Sequence, residues 1–399
     1  MRGLAGVIAA LALGAAAVAQ AAPSAADKTA IAAYEARLGP NDSPLAARMA
    51  ELHVPGVSIA FIEGGRVKWA RAYGVATAGG PKATPATLFQ AASMSKAVAA
   101  ATALRLADRG RLDLDQDVNA RLRAWKVPES PFTAEAKVTM RGLLSHTAGL
   151  TVGGFPGYAA GKPVPSTVQV LDGAPPANTP AVRSWEAPGR YAYSGGGYTV
   201  AQLLIAEVGG EPYPDLAERL VLRPAGMTAS TMAQPLPERL IPKAASGHDA
   251  RGQVIPGARN TYPEYAAAGL WTTPSDYGRF LITVQESWAG RRGALLSAAS
   301  AKAMVTPVDA SAGYGLGLLT GRRGGHPYVT HGGSNEGFRC DSLAFLDGSR
   351  QGVVVMTNGD NGSRLAGEIL AALGRAYGWG PPDPDNKAST RRAPFIAPR

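Results

Sequence analysis

The chain contains very little cysteine: Cys340 is the single one among 399 residues. A lone cysteine cannot close an intramolecular disulfide, so we expect no disulfide framework and a fold that depends on its packed core. We interpret Cys340 as a small core residue rather than a reactive thiol. Histidine is also rare, with five scattered copies. The sequence therefore predicts no Cys/His metal cluster and no bound metal.

Acidic residues are outnumbered, with 30 Asp and Glu against 40 Lys and Arg and a formal net charge of +10. The basic residues are spread along the chain, and neither a zinc-finger spacing nor a basic–aromatic stripe occurs. We therefore expect no nucleic-acid partner. We attribute the positive charge to an arginine-rich composition; attraction of anionic partners such as cell-wall polymers is the alternative.

Long apolar runs are scarce as well. Residues 4–18 form one uncharged apolar run, which is too short to span a membrane. It follows Arg2 and precedes the small residues at 19–21, an arrangement typical of a secretory signal peptide with an A-x-A cleavage site. We predict that residues 1–21 are a signal peptide. The mature protein is then periplasmic or secreted and has no membrane anchor.

The remainder of the chain is long enough to bury a large core. We place one domain at residues 22–380 and expect residues 381–399, rich in proline and charge, to be disordered. Helical patterns occur near both ends of the domain and between its strands. The strand patterns lie at 57–62, 67–73, 328–331, 342–346 and 352–357.

This order predicts an α+β fold in which an antiparallel sheet of five or more strands is flanked by N- and C-terminal helices. The α/β lobe would comprise residues 28–85 and 310–378, and a helical lobe would be inserted at 86–309. A Pro/Gly-rich stretch at 153–180 is too long for an ordinary connection, which is typical of a lid, a binding loop or a mobile segment.

Ser93 and Lys96 are three positions apart at the start of an alanine-rich stretch that is predicted to be helical over 93–109. Residues at i and i+3 lie on one helix face, close enough to hydrogen-bond. Burial would lower the lysine pKa and leave a neutral amine that accepts the serine proton. The pair is a candidate nucleophile and base, although so short a motif also arises by chance.

Tyr193 is a second candidate, within a stretch rich in glycine and tyrosine at 188–198. A phenol beside a lysine ammonium can have a lowered pKa and relay a proton to a leaving group. A structural tyrosine at the start of a helix is the alternative. A phosphate-binding loop is disfavoured because no Gly-Lys-Ser/Thr follows the glycines.

His331, Gly332, Gly333 and Ser334 lie on or just after a predicted strand. Glycines on a strand permit close approach of a ligand, and the peptide N–H groups of Ser334 and Ser93 are candidates for an oxyanion hole. A tight turn with an exposed histidine is the alternative. The oxyanion loop of an α/β-hydrolase is disfavoured because the chain has no G-x-S-x-G motif.

With these three segments in this order, the chain resembles the serine β-lactamase and penicillin-binding-protein superfamily. It is most similar to the class C β-lactamase-like branch, which includes D,D-carboxypeptidases, D-aminopeptidases and esterases. The resemblance covers residues 28–378. Further similar stretches lie at 87–90, 110–114, 139–150, 224–227 and 269–276.

The resemblance implies a β-lactamase/transpeptidase-like fold and an enzyme that needs no cofactor. It implies that Ser93 is acylated, that Lys96 activates it and that Tyr193 is the tyrosine of a Y-x-N motif. His331 stands where many relatives have the lysine of K-T-G, and H-x-G is a variant known in esterase and peptidase members. In the implied reaction, Tyr193 or His331 helps to protonate the leaving group. His146 falls in a structural turn, and we interpret it as a buried hydrogen-bonding residue rather than a catalyst.

Two departures from the family pattern bear on the substrate. Gly195 occupies the third position of Y-x-N, so the amide that contacts a substrate acyl-amide group is missing. His331 replaces a lysine and is mostly neutral near neutral pH if its pKa is unperturbed. The sequence thus favours an exported serine hydrolase acting on a small ester or a D-amino-acid-containing peptide, including peptidoglycan fragments. A β-lactamase proper and a non-catalytic binder of cell-wall peptide or protein are the alternatives.

Overall fold

A computed structural model describes residues 44–384, and eight β-strands occur within them. They are β1 (Gly56–Glu63), β2 (Arg66–Gly74), β3 (Phe89–Gln90), β4 (Trp271–Thr272), β5 (Leu319–Arg323), β6 (His326–Asn335), β7 (Phe338–Phe345) and β8 (Gly352–Thr357). Six form one antiparallel sheet in the order β2-β1-β8-β7-β6-β5. The other two, β3 and β4, pair with each other. The predicted antiparallel sheet is confirmed.

Eleven α-helices occur in the same part of the chain. They are α1 (Leu45–Glu51), α2 (Ser95–Ala107), α3 (Pro131–Glu135), α4 (Met140–Leu144), α5 (Thr167–Asp172), α6 (Gly195–Gly209), α7 (Tyr213–Ala217), α8 (Tyr265–Ala268), α9 (Pro274–Trp288), α10 (Ala298–Val305) and α11 (Gly362–Ala376). All but α1 and α11 lie between β2 and β5 in the chain, as the predicted helical insertion requires. The lobe boundaries near residues 86 and 309 stay a prediction.

The strands form where apolar and β-branched residues dominate and where a tight turn is available. β1 is buried along almost its whole length, and Gly64 (φ +60°) and Gly65 (φ +80°) make the turn into β2; a two-residue hairpin with positive φ at both positions favours glycine. The sequence did not predict β5, because it contains two consecutive arginines and a glycine and no apolar alternation. β5 forms because its backbone pairs with that of β6.

One face of the sheet is covered by α1 and α11. An apolar cluster that includes Phe61, Trp69 and Ile369 fills the space between them and the strands. Arg48 on α1 is 1% exposed and donates two hydrogen bonds to the Glu368 carboxylate on α11, at 2.8 and 2.6 Å. This buried ion pair joins the first and last helices of the described chain.

The other face packs against the helical insertion, in which α2 is central. Every residue of α2 except Arg105 and Ala107 is buried. Its many alanines have short side chains, so neighbouring elements approach its backbone closely. Residues 92–94, just before α2, lie against β6, and Ser93 is therefore next to the sheet.

Some predictions fall near or beyond the ends of the described residues. The signal peptide at 1–21 lies outside them, and α1 is the part of the helical pattern near the N-terminal end of the domain that lies inside. The predicted disordered tail was to begin at residue 381, but Pro382 pairs with Arg323 along β5, because the free edge of β5 offers backbone groups to it. Within residues 44–384, no helix is both long and apolar enough to cross a membrane.

Candidate active site

Ser93 lies in a 3₁₀ turn, Ala92–Met94, that leads directly into α2. Ala92 is fully buried and adopts a left-handed conformation with φ +49°, which costs a non-glycine residue roughly 1 kcal/mol. The turn and the first turn of α2 place Lys96 Nζ 3.1 Å from Ser93 Oγ. The predicted i, i+3 contact between nucleophile and amine is present.

The Lys96 side chain is enclosed, with 2% of the residue exposed. Nζ donates to the carbonyl oxygen of Ala267 at 2.8 Å and lies over the rings of Tyr193 and Tyr198, 5.0 and 5.4 Å from their centroids. Within residues 44–384 it has no carboxylate partner. Burial lowers the pKa of Lys96 to about 7, so a large fraction of the amine is neutral near neutral pH.

Tyr193 completes the group around the nucleophile, since its hydroxyl donates to Ser93 Oγ at 2.9 Å. The next residue, Ser194, is the N-cap of α6 and accepts from the N–H of Gly197 at 2.8 Å. The expectation of a lowered phenol pKa is wrong: burial raises the pKa of Tyr193 to about 12. Desolvation outweighs the hydrogen bond to Ser93, which acts in the opposite direction, and Tyr193 stays protonated.

His146 packs against the ring of Tyr193. It is 1% exposed, its Nδ1 accepts from the N–H of Ser194 at 3.0 Å, and its ring centroid lies 4.1 Å from that of Tyr193. Burial lowers the pKa of His146 well below its usual value, and the nearby Lys96 lowers it further. The residue is the buried, hydrogen-bonding histidine that the sequence predicts.

The third segment lies on the edge of β6 that faces the nucleophile. β5 pairs with β6 only as far as Thr330, so in the described chain residues 331–335 have β7 as their strand partner. An added Cβ on Gly333 would lie 2.2 Å from the carbonyl oxygen of Ala91. Glycine at this position is therefore required for the strand to approach the turn that carries Ser93.

His331 is 4% exposed and uses both ring nitrogens. Nδ1 lies 2.6 Å from the carbonyl oxygen of Gly332, and Nε2 lies 3.0 Å from the hydroxyl of Tyr314. Burial, together with the nearby Lys96, lowers the pKa of His331 to about 3. The ring is neutral near neutral pH and supplies no cation where the resemblance has the lysine of K-T-G.

These segments enclose a cavity of about 410 Å³, within the size range of small-molecule sites. Six of the predicted site residues line it: Ser93, Tyr193, His331, Gly332, Gly333 and Ser334. Lys96 Nζ contacts Ser93 Oγ. The arrangement offers a nucleophile, an adjacent amine and a protonated phenol around one oxygen, which is what acyl transfer through serine requires.

Gly195, the remaining predicted site residue, is buried beneath Phe155. An added Cβ would lie 2.9 Å from Phe155 Cε2 and 3.2 Å from the carbonyl oxygen of Gly153. The stretch at 153–180 thus places the Phe155 ring where the side chain of the family's asparagine would project. This packing leaves no room for the asparagine amide. It adds a structural reason to the departure from the family's Y-x-N motif.

Three features of the site were not predicted from the sequence. The left-handed Ala92 carries no motif, and the carbonyl of Ala267 binds Lys96 through a backbone atom that any residue would supply. Tyr314 contacts His331 from the loop before β5, and the glycines around it, Gly313 and Gly317, were the available signal. Within the described residues no group of three His, Cys, Asp or Glu side chains is placed to hold a metal ion.

Residues 42–376 match the beta-lactamase family. Protein flp of Staphylococcus aureus (strain N315) is 28% identical over 249 residues, which are 59% of this chain and 45% of flp. The chain therefore spans about half the length of this curated relative.

Two solved structures have a similar fold. The octameric penicillin-binding protein homologue from Pyrococcus abyssi superposes with a TM-score of 0.64 at 24% identity, over 84% of this chain and 76% of that one. D-amino acid amidase from Ochrobactrum anthropi SV3 does so with a TM-score of 0.66 at 22% identity, over 88% and 99%. The match over 42–376, together with this fold, shows that the chain belongs to the beta-lactamase family of serine hydrolases.

Proposed function

We propose that this protein is an exported serine hydrolase that acts through an acyl-enzyme on a small ester or a D-amino-acid-containing peptide or amide. The observation that carries the proposal is the contact of Ser93 Oγ with both Lys96 Nζ and the Tyr193 hydroxyl. A buried amine with a pKa of about 7 is a base at neutral pH. A phenol with a raised pKa is an acid there.

In the proposed reaction Ser93 Oγ bonds to the substrate carbonyl carbon and its proton passes to Lys96. The oxyanion that forms is stabilised by the peptide N–H groups of Ser93 and Ser334. The carbonyl bond to the leaving group then breaks, the Tyr193 hydroxyl protonates that group, and Lys96 returns a proton to Tyr193. Water repeats the sequence in reverse to release the acid and free Ser93.

Two features support a substrate without a carboxylate next to the scissile bond. His331 is neutral, so it does not supply the cation that the family's lysine would offer to such a group. Phe155 packs against Gly195, where the family has an amide. The shared fold with D-amino acid amidase supports testing amino-acid amides beside simple esters. Export by residues 1–21 belongs to the same proposal and predicts a mature protein that begins at Ala22.

The test is labelling by an aryl phosphonate, read by intact mass, together with hydrolysis of aryl esters. We expect one adduct per chain on the wild type and none on Ser93→Ala. Cys340 also lines the cavity, so Cys340→Ala is the matched control and should label fully. Labelling and turnover that survive Ser93→Ala would contradict the proposal.

A penicillin in the same assay separates the alternatives. A stable adduct on Ser93 would indicate a penicillin-inhibited peptidase, and consumption of the drug without an adduct would indicate a β-lactamase. No reaction with penicillin, phosphonate or ester would indicate a non-catalytic binder. We expect reaction with the phosphonate and esters but little with penicillin, because Gly195 and the neutral His331 do not supply the amide and the cation that hold a β-lactam in the family.

A further inference from the structure

The two hydrogen bonds of His331 specify its tautomer. Nδ1 lies 2.6 Å from the carbonyl oxygen of Gly332. A carbonyl oxygen can only accept, so Nδ1 carries the proton. In the neutral ring Nε2 is then an acceptor, and the hydroxyl of Tyr314, 3.0 Å away, donates to it. The one N–H of His331 is therefore directed at its own strand and not at Ser93.

Tyr314 is held on the side of the cavity that carries Ser93. It is 1% exposed and its ring centroid lies 4.7 Å from that of His146. The loop that carries it is seated on α2: Gly317 (φ +80°) lies so close that an added Cβ would be 2.8 Å from the carbonyl oxygen of Lys96. Tyr314 thus connects the helix bearing Lys96 to the strand bearing His331.

The strand needs such a connection at this point. Pairing with β5 ends at Thr330, so in the described chain β6 pairs with β7 on one side from His331 onward, and Gly332 and Gly333 follow His331. Glycine has the greatest backbone freedom, so the position of Ser334 depends on what holds the peptide before it. The Nδ1–H of His331 holds the Gly332 carbonyl, and Ser342 Oγ donates to the His331 carbonyl at 3.0 Å.

We propose that Tyr314 is a positioning residue: its hydroxyl holds His331 in the Nδ1–H tautomer, and His331 in turn fixes the Gly332 peptide that places Ser334 beside Ser93. This rests on the proposed function, because the oxyanion formed at Ser93 is what the placement serves. It also assigns His331 to the strand rather than to protonation of the leaving group, one of the roles that the sequence left open.

The test compares Tyr314→Phe, which keeps the ring and removes the hydroxyl, with Tyr213→Phe. Tyr213 is an equally buried tyrosine away from the cavity, and its hydroxyl has no hydrogen-bond partner among the described residues. The readouts are imidazole ¹⁵N NMR, with His331→Gln for assignment, and kcat and KM for an aryl ester. A merely structural role of Tyr314 would not change the His331 tautomer.

We expect wild-type His331 to be protonated at Nδ1 alone. In Tyr314→Phe an Nε2–H form should appear and kcat should fall about tenfold with KM within about twofold, the pattern of lost positioning. Tyr213→Phe should match the wild type. An Nε2–H tautomer in the wild type overturns the inference without recourse to any variant.

Tyr314→Phe with either the wild-type tautomer or the wild-type kcat also overturns the inference. Those results would leave an active enzyme that labels at Ser93, so the proposed function would stand. A wild type that neither turns over esters nor labels at Ser93 would instead refute the proposed function, and the positioning role with it.

Discussion

Lys96 Nζ lies 3.1 Å from Ser93 Oγ. The lysine side chain is buried away from water and has no carboxylate partner among the described residues. Burial lowers the pKa of Lys96 to about 7, whereas an exposed lysine titrates near about 10.4. The same burial that makes the amine a useful base also makes the charged form costly. Activity and stability should therefore depend on pH through the same group.

The rate of Ser93 phosphonylation should rise with pH through about 7 and level off above it. Only the neutral Lys96 amine accepts the serine proton, and its fraction grows as pH passes its pKa of about 7. Tyr193, with a pKa of about 12, stays protonated throughout. Second-order labelling rates measured from about pH 5 to 9 check this. Lys96→Met should remove the inflection, and a flat wild-type profile would contradict the assignment of the base.

Lys96→Met should stabilise the fold while greatly slowing the labelling of Ser93. Between the folded pKa of about 7 and the unfolded value, the unfolded chain binds a proton that the folded chain does not. Wild-type stability contributed by this group therefore rises with pH across that window. Methionine removes the titration, so the variant should gain about 1–2 kcal/mol near pH 7, less what is lost with the bond to Ala267.

Urea unfolding at several pH values measures this difference. The gain should shrink as pH rises, because a neutral amine is cheaper to bury than an ammonium. A variant that is less stable than the wild type near neutral pH would show that the bond to Ala267 and the contacts with the tyrosine rings outweigh desolvation. A difference independent of pH would show that Lys96 does not titrate as stated.

Local signals predicted most of the fold and the first members of the site. Short apolar runs located β1, β7 and β8, and the spacing of Ser93 and Lys96 predicted the contact between their side chains. The missing parts depend on contacts between distant segments. β5 forms only because β6 lies beside it, and Tyr314 reaches His331 only because its loop is seated on α2. The direction of the Tyr193 pKa shift depends on burial, which a spacing cannot measure.

Gly195→Ala should destabilise the protein although alanine favours helices. The new Cβ would lie 2.9 Å from Phe155 Cε2 and 3.2 Å from the Gly153 carbonyl, so the Phe155 ring must move. Such overpacking costs about 1–3 kcal/mol. Gly154→Ala is the matched control in the same loop, since an added Cβ there meets nothing within 4 Å, and it should stay within about 0.5 kcal/mol. Equal unfolding midpoints for the two variants would mean that Phe155 does not occupy this space.

The two glycines after His331 should differ sharply in their tolerance of a methyl group. On Gly333 an added Cβ would lie 2.2 Å from the Ala91 carbonyl oxygen and 2.6 Å from Cys340 Sγ, and the backbone atom cannot rotate away. On Gly332 the nearest atom would be the Cys340 carbonyl oxygen at 3.4 Å, which is ordinary contact.

We therefore expect Gly333→Ala to lose about 2 kcal/mol or more and Gly332→Ala to lose less than about 1 kcal/mol in urea unfolding. Because the clash lies between β6 and Ala91, two residues before Ser93, Gly333→Ala should also slow phosphonylation of Ser93 in the molecules that remain folded. Similar stabilities for the two variants would contradict the close approach of Gly333 to Ala91, and with it the proposed placement of Ser334 beside Ser93.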